Sequence, residues 1–132
     1  IRHLVFACLG EMGKAYAAAD VAVCRAGAST CMELCAAGVP AMLVPLPGAP
    51  RDHQARNAAA LAGRGGARMV REAELSPGAV AAFVRQSRDD SAAGDRMRRA
   101  LAGLAVPDAA ERLANLVCEC VNSRTEADQN SG

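Results

Sequence analysis

Short apolar runs and amphipathic stretches alternate along this chain, and that alternation leaves few folds open to it. His3 to Ala7 is a short apolar run, Glu11 to Ala19 (EMGKAYAAA) has helical spacing, and Val21 to Cys24 is strand-like and enters a glycine-bearing turn. Thr30 to Ala37 is helical and stops at Gly38, a residue suited to the position after a helix, with Pro40 as a further stop. Ala41 to Val44 reads as a buried strand, followed by PLPGAPR (Pro45 to Arg51), which neither a central strand nor a helix can host. A helix from about Asp52 to Leu61, the glycines 63, 65 and 66, and a strand over Ala67 to Val70 come next. Ser76 and Pro77 open another helix as cap and first residue, turning Val80, Phe83 and Val84 inward. After a polar break at Asp89 to Gly94, a helix lies around Met97 to Leu104. Pro107 and Asp108 begin the last helix, with Leu113, Leu116, Val117 and Cys120 at helical spacing. Residues 1–121 thus form one domain, and the small polar residues of 122–132 predict a disordered tail.

Strands alternating with helices in this way predict an α/β fold, a Rossmann-like doubly wound parallel sheet with ligands at the carboxyl ends of its strands. Two loops fall at that edge, Cys24 to Thr30 and Pro45 to Gln54.

Composition narrows the function classes. Fifteen Lys and Arg against 14 Asp and Glu leave a net charge of +1, and Phe6, Tyr16 and Phe83 are the only aromatic side chains, so nucleic acid is not an expected partner. No segment reaches the roughly 18 apolar residues of a membrane span, and the first residues do not read as a signal peptide. Cys8, Cys24, Cys31 and Cys35 sit in apolar runs, where a thiol behaves as a small hydrophobe. The six cysteines therefore read as reduced and cytosolic. Cys31/Cys35 and Cys118/Cys120 lack zinc-ligand spacing, so no metal is expected. The chain opens at Ile1 directly in a strand-like run and reads as part of something longer.

The stretch richest in chemistry is CRAGASTCME, Cys24 to Glu33. Gly27 permits a sharp turn, Ser29 and Thr30 are of N-cap type, and the N–H groups of a helix start favour an anion. Glu33, one turn further, is placed to accept hydrogen bonds from a hydroxylated group attached to a phosphate, as in a nucleotide-sugar diphosphate. The same segment also fits a plain strand–turn–helix corner with Ser29 capping and Glu33 solvated. Likewise His53 is open to a cap or surface role, Asn57 to bonding backbone in the loop, and Arg25 to a phosphate or a salt bridge.

The run from Met12 to Asn57, MGKAYAAADVAVCRAGAST through CMELCAAGVPAMLVPLPGAPRDHQARNA, resembles the donor-nucleotide half of the MurG family of GT-B glycosyltransferases. PDAAERLANLV (Pro107 to Val117) resembles that family's final helix. The resemblance implies a partial C-terminal domain of a GT-B enzyme, incomplete at its N-terminus, that binds UDP-GlcNAc. The complete enzyme would pass GlcNAc to the lipid-linked muramyl-pentapeptide precursor of peptidoglycan. It implies that Ala28, Ser29 and Thr30 hold the donor phosphates, Glu33 the ribose hydroxyls, and Leu9 the uracil through its backbone. His53 and Gln54 would face the GlcNAc hydroxyls, with Asn57 following on the same helix. Cys8 stands where the family usually has Phe, and Arg51 where an acidic residue is common. Direct displacement with inversion is implied, with no cofactor and with helix N–H groups instead of a metal facing the departing UDP. The catalytic base and acceptor site belong to an N-terminal domain outside this sequence, and the complete enzyme would sit on the cytoplasmic face of the bacterial inner membrane. Two alternatives stay open: a non-catalytic donor-domain subunit of a split transferase, and a related GT-B enzyme using another nucleotide sugar.

Overall fold

The computed structural model describes residues 3–129, with side chains through Val121. Among them the elements run α1 (Met12–Ala17), β1 (Ala22–Cys24), α2 (Ala28–Ala37), β2 (Ala41–Leu43), α3 (His53–Gly63), β3 (Ala67–Met69), α4 (Pro77–Asp89), α5 (Ser91–Ala102) and α6 (Ala109–Gln129). Short 3-10 turns at Pro50–Asp52 and Glu72–Glu74 precede α3 and follow β3.

The sheet is parallel, in the order β1-β2-β3, with Ala22, Ala41 and Ala67 in one row and Cys24, Leu43 and Met69 in another. Its central strand is buried on both faces, as a parallel strand covered by helices must be. Successive side chains point to opposite faces and feed two separate cores. Ala41 and Leu43 join Tyr16, Cys31, Leu34, Cys35, Ala58, Leu61 and Leu101, whereas Met42 and Val44 join Val70 and Phe83. Helix α5 serves both cores, with Leu101 in the first and Met97 packed on the second.

Local signals act where the sequence places them. Gly38 ends α2 in the left-handed region at φ 65°. The Ser76 side chain accepts a hydrogen bond from the Ala79 N–H, and Asp90 does the same for Ala93, so the polar break between α4 and α5 shrinks to that one residue.

Two expectations change. His3 to Ala7 is not a strand, and Leu4, Val5 and Phe6 are largely exposed. A β-like run makes no ladder within itself and needs a neighbour to pair with, and among the described residues these have none. Helix α6 continues to Gln129, past Asn122 where a tail was expected to begin, and residues 130–132 lie outside the described residues.

Candidate functional site at the carboxyl edge of the sheet

The turn after β1 leads into α2 through Gly27, which occupies the N-cap position at φ −63° and ψ 152°, a conformation open to any residue. Gly27 is therefore not needed for a left-handed turn; what it leaves out is a Cβ, which would lie 3.7 Å from Thr30 Oγ1. The Gly27 carbonyl accepts the first intrahelical bond, from Cys31 N–H, at 3.0 Å. Ser29 and Thr30, expected as caps, lie instead inside the first turn, because the helix starts at Ala28. No side chain caps it, so the N–H groups of Ala28, Ser29 and Thr30 are left without intrahelical partners, with no acidic residue beside them. Such a helix start can hold an anion.

One turn on, the exposed Glu33 accepts a hydrogen bond through Oε2 from the Tyr16 hydroxyl at 3.2 Å. Tyr16 is 9% exposed; burial, followed by its bond to Glu33, pushes its pKa up to about 12, so the phenol remains a donor at neutral pH. Cys31, beneath it, is pushed up to about 11 by burial and by Cys24 and Cys35 nearby. All six cysteines are free thiols.

The second loop is tied to the first. Asn57, on α3, donates from Nδ2 to the Ala26 carbonyl at 3.0 Å, bonding the β1–α2 turn across the edge of the sheet. Arg25 adds a further clamp: its guanidinium donates to the carbonyls of Val44 and Pro45 at 3.4 and 3.3 Å and pairs with Glu72 beyond β3. Of the two roles open to Arg25, the structure shows the salt bridge.

Within the Pro45 to Gln54 loop, Gln54 accepts the Leu46 N–H through Oε1 at 3.0 Å, leaving its amide NH2 group as the outward donor. His53 Nδ1 lies 2.8 Å from the Pro50 carbonyl, an acceptor only, so Nδ1 donates to it and Nε2 is left for other partners. Arg51 and Asp52 adopt φ of 54° and 53°. A hollow of about 200 Å³ opens beside this loop, lined in part by Pro45, Leu46, Asp52, Arg71 and Glu72.

Ala28, Ser29, Thr30 and Glu33 thus share one helix start, and Asn57 bonds the turn that leads into it, at Ala26. His53 and Gln54 stand at the start of the neighbouring helix. Leu9 is exposed and reaches the others only through α1, whose Tyr16 holds Glu33. Tyr16 is the participant that pattern reading missed; its signal was a lone tyrosine inside an alanine-rich helix. A larger hollow, of about 400 Å³, lies at the opposite end of the sheet, lined by Asp20, Val21, Pro40 and Arg98 among others, and touches none of these residues. Among the described residues, no three His, Cys, Asp or Glu side chains gather to hold a metal ion, and no helix is long and apolar enough to cross a membrane.

Comparison with known proteins gives consistent matches. The glycosyltransferase family 28 C-terminal domain matches over residues 2–113. A UDP-N-acetylglucosamine--N-acetylmuramyl-(pentapeptide) pyrophosphoryl-undecaprenol N-acetylglucosamine transferase of Marinobacter nauticus is 42% identical over 112 residues, covering 85% of this chain and 31% of the relative. The protein of the same name from Halorhodospira halophila is 45% identical over 109 residues, covering 83% and 30%. The crystal structure of Acinetobacter baumannii MurG superposes with a TM-score of 0.77 at 34% identity, over 88% of this chain and 33% of that one. The chain spans about a third of the length of the curated relatives it matches.

Proposed function

The chain belongs to the glycosyltransferase family 28 C-terminal domain family, and on that premise we infer that it is the UDP-GlcNAc-binding part of a transferase acting in peptidoglycan synthesis. The observation that carries this reading is the Asn57–Ala26 hydrogen bond, which holds a helix start suited to a diphosphate beside the loop suited to its sugar. The free N–H groups of Ala28, Ser29 and Thr30 take the donor phosphates, Glu33 takes the ribose hydroxyls, and the segment at Leu9 takes the uracil. His53 offers Nε2 and Gln54 its NH2 to the GlcNAc hydroxyls. Asn57, its amide spent on Ala26, serves to position the loops.

In the complete enzyme an acceptor oxygen of the lipid-linked muramyl-pentapeptide attacks the anomeric carbon. The bond to the β-phosphate oxygen breaks with inversion, and its electron pair leaves on UDP. Helix N–H groups facing that phosphate stabilise the charge as it develops. The base and the acceptor site belong to the rest of the enzyme, as does contact with the cytoplasmic face of the membrane.

Titration of the chain with UDP and UDP-GlcNAc by ligand-observed NMR tests the reading. Weak, saturable binding of both is expected, and a folded sample that shifts neither ligand would remove it. In the complete enzyme, Gln54→Ala is expected to lower discrimination between UDP-GlcNAc and UDP-GalNAc while leaving UDP affinity nearly unchanged. Intact epimer preference would make the loop structural.

A further inference from the structure

Glu33 is a carboxylate on an exposed helix face, where a glutamate ordinarily samples several rotamers. Here one of its oxygens is held from below. The Tyr16 ring lies in the core beside Cys31, Leu34 and Cys35, and its hydroxyl emerges 3.2 Å from Glu33 Oε2. The ring is therefore fixed by packing, and through it one oxygen of the carboxylate is held. A cis-diol needs a carboxylate in a defined plane to accept from both of its hydroxyls. An anchored carboxylate meets that need without first losing side-chain freedom.

We propose that Tyr16 is a positioning residue for ribose recognition, orienting Glu33 for the diol. This rests on the donor-site reading of Glu33. Tyr16 touches no ligand itself and acts through the carboxylate.

The test compares UDP and 2′,3′-dideoxy-UDP binding to the unmodified chain and to Tyr16→Phe, Glu33→Ala and the double variant, read by ligand-observed NMR. Removing the hydroxyl while keeping the ring is expected to weaken UDP by about three- to tenfold, the range of one ordinary hydrogen bond. Dideoxy-UDP, which has no diol, should bind Tyr16→Phe as it binds the unmodified chain, and Tyr16→Phe should add nothing once Glu33 is alanine. Unchanged UDP affinity in Tyr16→Phe alongside a loss in Glu33→Ala would overturn the proposal and leave the ribose role standing. Equal weakening of both ligands would reduce Tyr16 to packing. If Glu33→Ala leaves UDP untouched, the ribose role falls and this proposal with it.

A ligand-free measurement keeps the test decisive should Tyr16→Phe fold poorly. The chain has one tyrosine and no tryptophan, so its phenolate absorbance reports this hydroxyl alone. Glu33→Ala is expected to bring that titration down from about 12 by part of the shift, since burial, the larger cause, stays. Coincident titrations in the two proteins would show that the bond is not made.

Discussion

The carboxyl edge of the sheet and the last helix carry comparable numbers of well-spaced side chains, yet only the first closes on itself. At the edge, Tyr16 meets Glu33, Asn57 meets Ala26, Gln54 meets Leu46, and Arg25 meets Val44, Pro45 and Glu72. On α6, Leu113, Leu116, Val117 and Cys120 form an apolar surface that α6 residues alone line, with Leu113 63% exposed. Helical spacing is equally good in both places. Periodicity therefore says which residues share a face, and only a second element says whether that face is a core.

Breaking the closed side should give the largest effect. Leu34 is fully buried under α2, so Leu34→Ala is expected to cost about 2–5 kcal/mol in denaturant unfolding. Glu33→Ala, on the same helix but outward, is expected to weaken UDP binding by roughly 1.5–3 kcal/mol, the scale of hydrogen bonds to a charged group. Calorimetry checks this, and the loss should shrink for 2′,3′-dideoxy-UDP. Asn57→Ala leaves the carbonyl of buried Ala26 without its partner and separates the two loops. A stability loss of about 1–2 kcal/mol is expected from chemical denaturation, with UDP and UDP-GlcNAc weakened alike. Leu116→Ala sharpens the contrast from the other side: on a surface this open the unfolding free energy should stay within about 0.5 kcal/mol of the unmodified chain. A loss as large as that of Leu34→Ala would show that the stripe is covered in solution.

Legibility in the sequence followed the range of each interaction. The Ser76 cap, the Gly38 stop and the positions of β1, β2 and β3 were readable because each depends on residues within a turn or a short run. Ser29 and Thr30 carry good capping groups and point to a start of α2 two residues late, because nothing local says that Gly27 takes the position first. His3 to Ala7 has the composition of a strand, but a strand is a relation between two segments. Ala28, Ser29, Thr30 and Glu33 were found as a group because one helix start presents them all. The bond between Tyr16 and Glu33 was not, because it exists only once α1 lies against α2, and no spacing rule encodes that meeting.

The loop after β2 has a mechanical side. Arg51 and Asp52 are consecutive L-residues held left-handed, at φ 54° and 53°, although a glycine stands nearby at Gly48. Each such residue raises the backbone energy by about 1–2 kcal/mol. The loop keeps this shape because its ends are clamped: Asp52 N–H to Ala49, His53 to Pro50, and Gln54 to Leu46. It is in effect a wound spring, latched by the side chains of His53 and Gln54, so cutting either bond frees the backbone to relax out of the left-handed region.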